Sequence, residues 1–180
     1  MANKTKSDYD KMSNDDLVAY LDKLDLKIFN SFVDGDTKVR YFIYKYGKEF
    51  AEALKGTNLF YAGVLAQSMF ESGYGRSDKT QNANNFAGVK YNSKLHPDFY
   101  QTKSAKWAKF PTAKEGINNH IDTLMLPRYQ KARLTAKSPE EQIKMIVQAG
   151  YDSTPPNDYV NFIKGNIRRV QNKVQIGKVV

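Results

Sequence analysis

Hydrophobic positions recur at helical spacing along most of this chain. Ser13 followed three residues later by Asp16 reads as a helix start, and Leu17, Leu21 and Leu24 then fall on one face. Between Thr37 and Leu54 the apolar residues Val39, Phe42, Ile43, Tyr46, Phe50 and Leu54 mark an amphipathic helix whose apolar side needs cover. The period resumes after Gly56-Thr57-Asn58 at Ala62, Leu65, Ala66 and Met69, until Ser72-Gly73-Tyr74-Gly75 stops it; Glu71 therefore falls in the last turn. Ile117, Ile121, Leu124 and Met125 share a face of a helix between Thr112 and Met125, which Pro127 ends. Ser138-Pro139-Glu140-Glu141 joins an N-cap serine, a first-turn proline and a capping-box glutamate ahead of Ile143, Ile146, Val147 and a terminal Gly150. A last helix is predicted from about Asp158 through Tyr159, Phe162, Ile163, Ile167 and Val170.

Elsewhere the pattern is thinner. Residues 1 to 12 are polar and expected to fray, and the polar stretch from Arg76 to Asn85 reads as a loop. Aromatic and threonine-rich pieces between Leu95 and Phe110 predict a small hairpin. There are no internal repeats, and 180 residues suffice for one domain but not for two ordinary ones.

Composition narrows the function. With 41% hydrophobic residues, 12 Tyr and 10 Phe, the chain can build a core and still line a groove. The absence of cysteine excludes disulfides, thiolate metal sites and a thiol nucleophile. The two histidines, His96 and His120, are too few and too far apart for a metal centre, so neither metal nor cofactor is expected, and His120 is expected to pack beside Ile117 and Ile121. The N-terminus shows no apolar signal segment and no run approaches a membrane span, so membrane insertion and an export signal are not expected. Lys and Arg outnumber Asp and Glu by 28 to 19, which favours polyanionic partners in a salt-sensitive way. No nucleic-acid reading motif accompanies that charge, and nucleic acid is not an expected partner. The basic last helix, with Lys164, Arg168, Arg169 and Lys173, reads as a solvated face.

Glu71 is where the pattern meets chemistry. A carboxyl group ending an apolar helix beside Phe70 and Tyr74 is disfavoured as an anion both by desolvation and by the negative end of the helix dipole. An acid kept protonated near neutral pH is what glycoside cleavage requires, because the leaving oxygen takes a proton as the bond breaks.

Residues 65 to 90, LAQSMFESGYGRSDKTQNANNFAGVK, carry this further. Ala66, Gln67, Glu71, Ser72, Gly73, Gly75 and Ser77, then Asn85, Gly88 and Lys90, resemble the glucosaminidase family of peptidoglycan hydrolases, glycoside hydrolase family 73. LPRYQKA at 126 to 132 and QAGYDSTPPNDYV at 148 to 160 are similar to later segments of that family, so the likeness spans about 65 to 170. Two departures stand out: Tyr74 where the family has Trp, and Phe86-Ala87 where it has Leu-Phe.

The resemblance implies a mainly helical α+β fold, a lysozyme-like domain with a small β-hairpin lobe flanking a cleft. Residues 1–55 would supply packing helices and 56–175 the catalytic core. It places the catalytic acid on Glu71 and the active-site tyrosine on Tyr151. A second carboxylate in the lobe falls on Asp98; without it, the substrate's own 2-acetamido group would attack the anomeric carbon. Substrate contacts are expected at Gln67, Tyr74, Asn85, Phe86 and Lys90, with Trp107 stacking on a sugar ring. The implied activity is hydrolysis of the β-1,4 bond after N-acetylglucosamine in bacterial cell-wall glycan, by a monomeric phage endolysin or a tail-associated lysin contacting other virion proteins. It would reside in the host cytoplasm before lysis or in the virion. The rivals are a lytic transglycosylase, which the NNFAGVK segment disfavours, and an inactive wall-binding or virion structural protein.

Overall fold

The computed structural model describes residues 4–174, so the outermost parts of the single-domain expectation, 1–3 and 175–180, lie outside the described residues. Among the described residues ten α-helices and one antiparallel hairpin follow in the order α1 Lys6–Asp10, α2 Asn14–Asp22, α3 Leu26–Phe32, α4 Gly35–Ala53, α5 Tyr61–Ser72, α6 Asp78–Ala83, β1 Phe99–Gln101, β2 Lys106–Ala108, α7 Ala113–Leu124, α8 Gln130–Thr135, α9 Pro139–Gln148 and α10 Pro156–Lys173. A 3-10 turn at Pro127–Tyr129 enters α8. The expected mainly helical α+β architecture is present.

Helix α5 organises the bundle. Every residue from Tyr61 to Met69 is buried, as an all-round apolar sequence demands, and α4, α9 and α10 cover it. Only at its C-terminal end does it surface, with Phe70 exposed and Glu71 partly so. Gly73 then closes the helix in the left-handed conformation at φ 56, and its amide donates back to the Met69 and Phe70 carbonyls.

A second, smaller core lies on the N-terminal side. Tyr9, Leu17, Leu21, Leu24, Phe29 and Val33 from α1 to α3 close around Tyr41 of α4. Residues 1 to 12 are therefore not simply frayed: Thr5 and Asp8 form a capping box that starts α1, and Tyr9 is buried. Arg76 ties this layer to the segment after α5, its guanidinium donating to the carbonyls of Leu21 and Leu24, both at 2.6 Å.

The stretch from Arg76 to Asn85, read as loop, contains α6, whose buried residues are only Thr80 and Ala83. The hairpin forms where expected, in the register Phe99↔Ala108, Tyr100↔Trp107 and Gln101↔Lys106, and Lys90 bridges to Trp107 beside it. Asn85 seats this lobe. Its side-chain amide donates to the carbonyls of Val89 and Ala108, both at 2.9 Å, and its oxygen accepts from the Val89 amide at 2.9 Å. The lobe meets the bundle at Gly116 of α7, where an added Cβ would lie 1.8 Å from the Asn84 carbonyl oxygen.

Candidate active site

The C-terminal end of α5 opens into a cleft of about 390 Å³. Glu71 and Lys79 stand on one side, and Gly88, Lys90 and Trp107 come from the lobe. Thr123, Arg128 and Tyr129 come from the end of α7 and the turn after it, and Tyr151 and Asp152 from the α9–α10 connection. Beyond Val89 and Lys90 it continues into a groove of about 510 Å³ edged by Tyr91, Leu95, His96, Asn119 and Leu126.

Glu71 is held by Tyr159 of α10, whose hydroxyl donates to Oε1 at 2.9 Å. Burial pushes the Glu71 carboxyl above the ordinary carboxylate range; Tyr159 and the nearby Lys79 ammonium pull it back, and Asp152 adds to the rise. The Phe70 and Tyr151 rings pack edge-on against Tyr159 at 5.7 and 6.5 Å, fixing the phenol that fixes the acid.

Tyr151 reaches the same cleft through a buried relay. Its hydroxyl lies 3.4 Å from His120 Nε2, and His120 Nδ1 lies 2.8 Å from Ser68 Oγ. Burial takes the His120 pKa down to about 4, so the ring is neutral near pH 7 and each nitrogen has one role, donor or acceptor. Burial also holds the Tyr151 phenol well above its ordinary pKa, which keeps its proton in place for hydrogen bonding. His120 is fully buried between Ile117 and Ile121 in sequence, the packed position expected of it.

The lobe side carries Trp107. Lys90 Nζ lies 3.6 Å from its ring centroid and Lys79 Nζ 4.9 Å, while its indole donates to Thr102.

Thus Glu71, Tyr151, Lys90 and Trp107 are brought together. The other expected residues stand elsewhere. Asp98 is exposed on the hairpin, 3.2 Å from Lys109 and accepting from the Phe99 amide; those two interactions lower its pKa, and it does not line the cleft. Gln67 is fully buried on α5 behind the acid. Phe86 packs into the core against Tyr46, with ring centroids 4.9 Å apart. Asn85 is occupied with the lobe, and Tyr74 lies between the two cores, meeting Phe29 of α3 and donating to Asn166 of α10. None of these four, expected as substrate contacts, is among the residues lining the cleft.

Sequence reasoning missed Lys79, Arg128, Asp152 and Tyr159. Lys79 was hidden in an apparent loop, and Tyr159 looked like one more core residue of α10, which its buried ring also is. Asp152 follows Tyr151 directly, and that adjacency was the available signal.

Residues 47–172 match the family model Glucosaminidase, described as mannosyl-glycoprotein endo-beta-N-acetylglucosaminidase. No curated protein matches the chain. Among solved structures, the glycoside hydrolase domain of FlgJ from Salmonella typhimurium superposes with a TM-score of 0.60 at 22% identity, covering 75% of this chain and 89% of that one. The catalytic domain of the autolysin Auto from Listeria monocytogenes gives 0.58 at 24% identity, with 79% and 89% covered. A peptidoglycan hydrolase from Sphingomonas sp. A1 gives 0.55 at 15% identity, with 74% and 92% covered. At these identities the likeness is one of fold, and it bears out the lysozyme-like architecture.

Proposed function

Since the chain belongs to the glucosaminidase family of glycoside hydrolases, we propose that it hydrolyses the β-1,4 bond on the reducing side of N-acetylglucosamine in bacterial peptidoglycan, with Glu71 as proton donor. The observation that carries this reading is Glu71 itself, a carboxyl group whose pKa burial raises, oriented by Tyr159, at the edge of an open cleft. Wall glycan as substrate is supported by the family, by structural neighbours that are an autolysin and a peptidoglycan hydrolase, and by a net charge of +9 suited to an anionic polymer.

In this mechanism Glu71 passes its proton to the leaving oxygen as the glycosidic bond lengthens. The Tyr151 hydroxyl, steadied by His120, hydrogen-bonds the 2-acetamido group of the N-acetylglucosamine unit, whose carbonyl oxygen attacks the anomeric carbon. Water then opens the cyclic intermediate, returning its proton to Glu71. Asp98 has no step here, because its carboxylate is paired with Lys109 outside the cleft.

The test is digestion of purified peptidoglycan, borohydride reduction and mass spectrometry of the fragments. The native protein should release reduced N-acetylglucosamine ends, Glu71→Gln should lose at least about a hundredfold of that activity, and Asp98→Asn should keep it. Anhydro ends would instead identify a transglycosylase. Full activity in Glu71→Gln would remove the assignment.

A further inference from the structure

The cleft holds a cation that the mechanism above does not use. Lys79 projects from α6 into it, and burial lowers the pKa of its ammonium. Among the described residues that ammonium makes neither a hydrogen bond nor an ion pair, whereas the Lys45 and Arg76 side chains are each matched to Asp22. The Trp107 face lies 4.9 Å away, and the charges around it are opposed, the Glu71 carboxylate favouring the ammonium and Lys90 disfavouring it. The Glu71 carboxylate favours that ammonium only while it is ionised, so with the acid protonated for catalysis the charge is drawn from water with no anion bonded to it, and an anion arriving with the substrate would offset that cost.

The position of Lys79 indicates where on the substrate this anion lies. A Cβ built on Gly88 would meet Lys79 Nζ at 2.8 Å and Glu71 Oε2 at 3.6 Å, so ammonium and acid flank the same bare stretch of backbone. Gly88 has φ +65, and its missing side chain is the space the two groups share. If Glu71 protonates the bond after N-acetylglucosamine, the leaving oxygen is O4 of the next sugar, N-acetylmuramic acid. The neighbouring carbon of that sugar, C3, carries the lactyl ether that distinguishes it from N-acetylglucosamine. A cation flanking the acid therefore faces the lactyl carboxyl group.

Resting on the proposed activity, we infer that Lys79 reads the muramic lactyl group on the leaving side of the cleft, pairing with its carboxylate on bare strands or with its carbonyl oxygen where a peptide is attached. Lys79 is thus a specificity residue that separates wall glycan from chitin-like polymers, which bear a hydroxyl at that carbon. Gly88 belongs to the same device, since any larger residue would occupy the gap.

The test measures affinity in the Glu71→Gln protein, alone and combined with Lys79→Met or Lys79→Arg. The ligands are an N-acetylglucosamine–N-acetylmuramic acid tetrasaccharide with free lactyl carboxylates and the same sugar with those groups reduced to alcohols. Reduction should weaken binding about tenfold in Glu71→Gln and in the Arg combination, and less than about twofold in the Met combination. Equal losses in the Lys and Met proteins would overturn the assignment, as would failure to bind either sugar. The proposed activity fails on a different result, retained cleavage by Glu71→Gln, so the two readings can fall separately.

Discussion

Glu71 stands between opposed influences. Burial raises its pKa, and the Tyr159 hydroxyl and Lys79 ammonium, both of which favour the carboxylate, lower it. As a proton donor it works only while protonated, so activity is lost as pH rises through its pKa. Replacing Tyr159 by Phe removes a donor to the carboxylate, raises the pKa further and should move the alkaline limb of kcat/KM to higher pH. A limb that stays or moves down would show that Tyr159 does not set the acid's ionisation. At this scale the sequence was partly legible. A carboxyl group ending an apolar helix is visible in a string of letters, and so is the cleft-lining Tyr151 once a family pattern is matched. The partners of Glu71 are not, because Lys79 and Tyr159 arrive from α6 and α10, and no local spacing records that approach.

Among the elements, the long helices were readable because each repeats its apolar period several times between clear stops. Helix α3 has seven residues and one fully buried position among them, too few for a period to show. Helix α6 is polar on most of its surface and has no side-chain cap, so its helicity comes from the parts it lies between. The contact of Asn84 with α7 belongs to this scale. Gly116→Ala would drive a methyl group into the Asn84 carbonyl, backbone against backbone, where no rotamer change gives relief. The variant should lose about 3 kcal/mol or more of stability in urea denaturation, and its activity should fall further than its folded fraction because the lobe is displaced. A loss below about 1 kcal/mol would mean that lobe and bundle are not packed as described.

For the molecule as a whole, two packing units meet around α4, with the N-terminal layer on one side and the bundle that carries the acid on the other. Arg76 joins them only a few residues after Glu71, so the layer braces the turn that ends α5. Arg76→Ala should cost about 2 kcal/mol, from charged hydrogen bonds lost in a poorly hydrated place, and should speed proteolysis between α2 and α3. Unchanged cleavage there would separate the layer from the bundle energetically. The sequence showed the first of these helices but not their attachment, since one guanidinium accepted by two main-chain carbonyls leaves no pattern in the chain. Across the cleft, the wall bearing Trp107 and Lys90 is seated largely by the carboxamide of Asn85. Its nitrogen gives hydrogen bonds to two carbonyl oxygens, and hydrolysis of that amide to a carboxylate would turn both contacts into repulsion. Chemical ageing at a residue outside the cleft lining would then unseat one wall of the cleft while Glu71 stayed intact, so an old preparation would lose activity before it lost its fold.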